Sequence, residues 1–208
     1  MTVSALPFAA LGLSPRSPLA AALRDQLAWV ELALERAAAS VPLVIDRDRQ
    51  PFAAEGVRVH ATLALLGGQL AGPAGSAAVV VELTHLATRF HDAVRDLPPG
   101  SAGGQRNVDA VLAGDLLIVR ATGLAADLPR PALRRWAAAL GEVHEAKLVR
   151  RFDVAARALL DAAVEIGALA AGTGTELPET VAAVRASLER HLAGRLTTSA
   201  APAARAAP

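Results

Sequence analysis

The residues best placed to do chemistry lie in residues 81–96, VELTHLATRFHDAVRD, followed shortly by AVLAGDLLIVRA at 110–121. Read as a helix, the first segment puts Val79, Leu83, Leu86, Phe90, Val94 and Leu97 on one stripe. The opposite stripe carries His85, Arg89, Asp92 and Asp96. Two carboxylates one helical turn apart can hold a hard divalent cation that carries a phosphate. The same pattern also describes a solvated helix face on which Arg89 pairs with Asp92 three residues on.

Other reactive side chains are less well placed. His144-Glu145 opens like a zinc-protease helix, but the residue four positions after His144 is Leu148, so no second ligand follows. His85 and His91 are six residues apart and fall on different faces, while His60 and His191 have no partner at helical spacing. Asp115, inside the apolar run GDLLIV, is expected to face Arg120 or a buried backbone group. Gly103-Gly104 and Gly172-Thr173-Gly174 lack the strand-to-helix context of a phosphate loop. Nothing in the spacing singles out a nucleophile; Ser101 has no better claim than any other serine.

Composition removes whole classes of function. The chain has no cysteine, so disulfides, thiolate metal sites and cysteine nucleophiles are excluded. Twenty-one basic residues against twenty acidic ones leave no excess for nucleic acid, and four Phe, two Trp and no Tyr provide few stacking platforms. Lys147 is the only lysine. The N-terminus lacks a charged leader and contains Pro7 and Pro15, and the uncharged run 59–81 is broken by Gly67-Gly68 and GPAGS. The reading is therefore a cytoplasmic chain without a transmembrane segment.

The elements that must position these residues are helices. Ser17-Pro18 is an N-cap followed by proline at the first helical position, opening a helix to about residue 39. VPLVIDRDRQP reads as a loop, and further helices are expected at 53–69 and 76–97. After a loop at 98–104 come helices at 105–126, 131–150, 153 to about 172–174, and 178–196. No alternating run or hairpin dipeptide appears, so the class is all-α, a bundle of about seven helices. Residues 1–16 form an N-terminal segment, 17–197 the helical domain and 198–208 a low-complexity, disordered tail. So alanine-rich an array packs with close interaxial distances.

VELTHLATRFHDAVRD followed by AVLAGDLLIVRA resembles the first aspartate-rich region of the trans-prenyl diphosphate synthases, the polyprenyl synthetase family. AEGVRVHATLALLGG at 54–68 is similar to that family's glycine-lysine-arginine helix. GEVHEAKLVRRFD at 141–153 and ALLDAAVEIGALAAG at 158–172 are similar to the segments that follow, in the same order from about residue 18 to 175. The resemblance implies an isoprenoid-synthase-like helical fold. It also implies a chemistry in which Mg²⁺ ions held by aspartates, with Lys and Arg side chains on the diphosphates, ionise an allylic diphosphate.

Against that family pattern the motifs are worn. The first reads Asp92-Ala93-Val94-Arg95-Asp96, with Ala93 at a carboxylate position and Arg95 added beside it. The family's lysine falls on Val57 and its second arginine on His60, leaving Gly56 and Arg58. Its paired arginines are replaced by PPGSAGG, and its lysine-threonine pair falls on Ala155 and Ala156. No aspartate follows Asp161, so the second aspartate motif is not found, and the chain is read as truncated before that motif's helix. Removing one contact that stabilises a developing charge typically costs ~3 kcal/mol, and several are absent together.

The resemblance therefore implies a degenerate member that does not transfer prenyl groups alone. The first expectation is a non-catalytic or regulatory small subunit that pairs with a full-length synthase, or with itself, in isoprenoid biosynthesis. The alternative is a Mg²⁺-dependent prenyl diphosphate-processing enzyme using the reduced motif or completed in trans. A third is a helical carrier for an isoprenoid chain. On each reading the residues to watch are Arg58, Asp92 and Asp96, a vestigial diphosphate site with Asp92 and Asp96 as weak Mg²⁺ ligands.

Overall fold

A computed structural model describes residues 13–14, 16–39, 58–98 and 100–173, with five isolated positions beyond them. Six helices run through the described residues, and no strand occurs among them: α1 Pro18–Ala38, α2 Val59–Gly67, α3 Gly72–Asp92, α4 Ala102–Ala125, α5 Arg130–Leu148 and α6 Phe152–Ala171. The all-α class stands. The N-terminal segment apart from residues 13, 14 and 16, the 41–51 loop, positions 53–57 of the second expected helix and the tail lie outside the described residues, as does the expected seventh helix apart from those isolated positions.

Helix α1 starts where its cap demands, with the Ser17 hydroxyl accepting from the Ala20 N–H at 3.2 Å and proline next in line. Helix α2 is short and buried from His60 to Gly67, because it lies between α3 and α6. Helix α3 is the hub, packed against α1, α2, α4 and α6, which explains why residues 77–84 are buried on every face. Its GPAGS segment, expected as a turn, is instead the first turn of the helix, with Pro73 where a missing N–H is harmless. The reversal occurs one step earlier, at Gly68–Ala71, where Gln69 and Leu70 take positive φ.

Two more boundaries differ from expectation. Helix α4 opens at Ala102 rather than Gln105, because Ser101 accepts from the Gly104 N–H at 2.9 Å and draws both glycines into the first turn. Helix α3 stops at Asp92 rather than Leu97. Beyond it the Asn107 side chain claims the backbone of Arg95, accepting from its N–H at 3.0 Å and donating to its carbonyl at 2.6 Å. A side-chain partner for both backbone groups competes with another helical turn. The stripe Val79, Leu83, Leu86 and Phe90 is buried as expected, whereas Val94 and Leu97, past the end of the helix, are exposed.

The core joins these helices through alanine, leucine and valine, with few polar atoms inside. One polar link is complete: Trp136 Nε1 on α5 donates to Thr84 Oγ1 at 2.9 Å, and that hydroxyl donates to the Val80 carbonyl at 2.9 Å. It ties α5 to the hub without leaving a buried donor unpaired. Helix α6 ends on Gly172 in the left-handed conformation (φ 69°), a cap at which a Cβ would be strained.

Candidate functional site

The charged residues of α1, α2 and α3 converge at the N-terminal end of α2. Arg58 donates through Nε to Glu31 Oε1 at 2.6 Å and through Nη2 to Glu31 Oε2 at 3.0 Å. Its Nη1 lies 3.7 Å from Glu82 Oε1. Glu82 is buried inside α3 and accepts the Ala61 N–H at 3.2 Å. Glu31 thus takes the better fork of the only cation in these contacts, and Glu82 receives the remainder. Burial pushes the Glu82 carboxyl up to about 7, despite the pull of Arg58 and the Ala61 N–H. For Arg58, burial acts downward, but the two carboxylates outweigh it and the guanidinium is held more firmly protonated than usual.

Beside this cluster His60 stacks on His85, ring centroids 4.1 Å apart and planes at 28°. Burial, then the neighbouring His85, holds His60 well below the usual histidine range. Burial lowers His85 to about 4; Arg89, Arg58 and Lys147 add to the effect, and only Asp92 opposes it. Both rings are therefore neutral near pH 7. His60, which has no partner at helical spacing in its own segment, finds one across the helix interface. His85, placed by the sequence on a solvated stripe, turns inward to meet it.

At the end of α3 the aspartate pair comes apart. Lys147 on α5 reaches Asp92 Oδ1 at 2.7 Å, so Asp92 pairs with the sole lysine rather than with Arg89. Asp96 is no longer one turn away on a helix, since it lies in the non-helical stretch after Ala93. Arg95 folds back, its Nη1 donating to the carbonyls of Asp92 at 2.8 Å and Val94 at 3.3 Å, which neutralises the helix C-terminus. Asp115 meets neither Arg120 nor a buried group. It is mostly exposed and lies 3.1 Å from Nε2 of His91, whose ring sits against Gly114.

Of the three residues singled out by sequence, Arg58 is inside the Glu31–Glu82 cluster, Asp92 is in the Lys147 pair, and Asp96 is exposed on a loop. No group of three histidine or acidic side chains able to hold a metal occurs among the described residues. With an ammonium on Asp92 and Asp96 displaced from the helix, these two carboxylates do not form a resident Mg²⁺ site on their own. Sequence reasoning missed Glu82, Lys147 and Asn107. The usable signal for Glu82 was a lone acid among valines in a helix facing an arginine-bearing segment. For Lys147 and Asn107 the partners are 55 and 12 residues away, and no local pattern reveals them.

No family model matches the chain, and no curated protein does. Solved structures do. The chain is similar to the geranylgeranyl pyrophosphate synthase from Corynebacterium glutamicum ATCC 13032, with a TM-score of 0.66 and 27% identity over 86% of this chain and 61% of that one. A second structure of geranylgeranyl pyrophosphate synthase from Corynebacterium glutamicum, complexed with calcium and isoprenyl diphosphate, gives a TM-score of 0.63 and 28% identity over 83% of this chain and 61% of that one. A decaprenyl diphosphate synthase from Rhodobacter capsulatus shares the fold at a TM-score of 0.65 and 23% identity, over 89% of this chain and 67% of that one. The fold is thus isoprenoid-synthase-like, and the chain is related to prenyl diphosphate synthases while spanning about 61% of the length of the first of them. Among the described residues no helix is long and apolar enough to cross a membrane.

Proposed function

We propose that this chain is a non-catalytic relative of the prenyl diphosphate synthases that acts through a partner, a full-length synthase or a second copy, in isoprenoid biosynthesis. The observation that carries the reading is the Lys147–Asp92 pair at 2.7 Å: the carboxylate of the first aspartate motif is already neutralised by a cation of the chain itself. Arg58, gripped by Glu31 at 2.6 Å, supports it from the other side, since its guanidinium is committed to carboxylates rather than to a diphosphate. The outward side of α4 favours a partner. Val108, Leu112 and Val119 are 50%, 61% and 65% exposed along one helix face, with the exposed Asp115 between them, and exposed apolar residues rimmed by polar ones mark interfaces.

The test is purification alone and with a partner. The chain by itself is expected to yield no prenyl product from allylic and homoallylic diphosphates with Mg²⁺. Co-expressed with a full-length synthase from the same genome, it co-purifies and changes product length or yield. Turnover by the homogeneous chain alone would overturn the proposal.

On this reading Arg58, Asp92 and Asp96 are the remnant of a diphosphate site that Lys147 closes. Lys147→Met removes the competing cation, and the lost pair, half-exposed on the Asp92 side, was worth no more than about 1 kcal/mol. Calorimetry should then find Mg²⁺-dependent binding of a prenyl diphosphate tightened by up to about fivefold, with Tm nearly unchanged. Equal binding by Lys147→Met and by the parent chain would show that Lys147 closes nothing.

A further inference from the structure

We propose that the end of the helical array where α3 passes into α4 and α5 into α6 docks on an anionic lipid bilayer. The Lys147–Asp92 pair brings the last turn of α5 beside the last turn of α3. The short connections 93–101 and 149–151 then place the first turns of α4 and α6 at the same end. On this tip Leu148 is 84% exposed and Val149 66%, with Leu97 and Val94 also open to solvent. Together Leu148, Val149, Val94 and Leu97 give this end an exposed apolar surface of the kind that marks interaction sites.

The charges around them select the cover. From the last turn of α3 to the first of α4, and from the last turn of α5 to the first of α6, the tip carries Arg89, Arg95, Lys147, Arg150 and Arg151. The acids in the same stretches are Asp92, Asp96, Glu145 and Asp153. Lys147 and Asp92 cancel in their mutual pair, so four arginines face three carboxylates. Arg150 and Arg151 directly follow the exposed Leu148-Val149 and are themselves exposed. Apolar side chains that enter the acyl boundary, with guanidinium groups beside them at headgroup depth, form the pattern of an interfacial anchor. Arginine suits it because its stem lies on apolar surface while its fork hydrogen-bonds phosphate oxygens. A tip of this size gives reversible attachment, sensitive to salt, rather than insertion.

Co-sedimentation of the full chain with vesicles tests this. The chain is expected to bind vesicles of phosphatidylcholine with phosphatidylglycerol and not phosphatidylcholine alone, and to be released at high salt. Arg150→Glu with Arg151→Glu should weaken binding by more than about tenfold, and Leu148→Ser with Val149→Ser should also abolish it. All four positions are exposed, so Tm and helicity should stay those of the parent chain, and the arginine variant serves alone if the other fails to fold. Absence of binding to the anionic vesicles, or equal binding by the arginine variant, overturns the proposal. So does loss of self-association or partner binding in the Leu148 and Val149 variant with vesicle binding intact, since the tip would then meet a protein.

Discussion

Replacing Gly167 by alanine is expected to cost about 3 kcal/mol or more, read as a drop in Tm of roughly 6–12 °C. The reason is where the added methyl would go. A Cβ on Gly167 lies inside the contact radius of the Ala64 carbonyl oxygen, with the Ala64 carbonyl carbon 2.7 Å away. A Cβ on Gly67 collides in the same way with the Val164 carbonyl oxygen, 2.9 Å from its carbon. The two helices therefore cross with each one's glycine seated over the other's backbone, and no flexible side chain can swing aside. Relief would require α2 and α6 to separate, which opens a closely packed part of the core. Gly141→Ala is the internal control. Nothing lies within 4 Å of its added Cβ in mid-α5, so the change should stabilise by about 0.5–1 kcal/mol through helix propensity. Equal stabilisation by Gly167→Ala and Gly141→Ala would mean that helix propensity, not the crossing, governs both.

That crossing marks how far the amino-acid pattern alone can carry an interpretation. An alanine-rich chain with glycines at helix positions announces close helix approach, and this much is legible. Which glycines meet which backbone is set by residues 100 positions apart, such as Gly67 and Gly167, and periodicity within one segment says nothing about it. The same division runs through the candidate site. The buried stripe of α3 follows from spacing, because burial repeats with the helical turn. The end of α3 does not, because Asn107 captures the backbone of Arg95 from the next helix and removes Asp96 from the face that spacing assigned it. Asp92 likewise looks like one of a pair until the sole lysine arrives from α5. The resemblance to the synthases came through in motif order, which survives wear, whereas the motifs' charge chemistry depends on partners too distant in sequence to read.

The Arg58 cluster is where those distant partners should have the largest measurable effect apart from the glycine crossing. Arg58→Met leaves Glu82 buried with no cation and Glu31 opposite it, and breaking a buried pair by removing one partner costs about 3–5 kcal/mol. The loss should depend on pH, because Glu82 can escape the penalty by taking a proton. At pH 5 the carboxyl of both parent and variant is neutral, so the variant's deficit is smallest; at pH 8 the parent keeps an ionised, partly paired Glu82 and the variant cannot. Glu82→Gln isolates the parent's own dependence. With its folded value raised to about 7 from an ordinary 4.5, Glu82 contributes stability that is fully present below pH 4.5 and is lost as pH rises through 7. His60 and His85, both lowered, work in the opposite sense, their contribution being present above pH 6.5 and lost as pH falls below it, for His85 through about 4. Since those two rings are shared, they cancel when the parent is compared with Glu82→Gln. The difference in unfolding free energy should therefore move in favour of the glutamine variant by about 2–3 kcal/mol between pH 5 and pH 8. Urea melts at the two pH values read it directly, and curves that stay parallel would mean that Glu82 remains ionised throughout, held by Arg58 more tightly than a 3.7 Å approach accounts for.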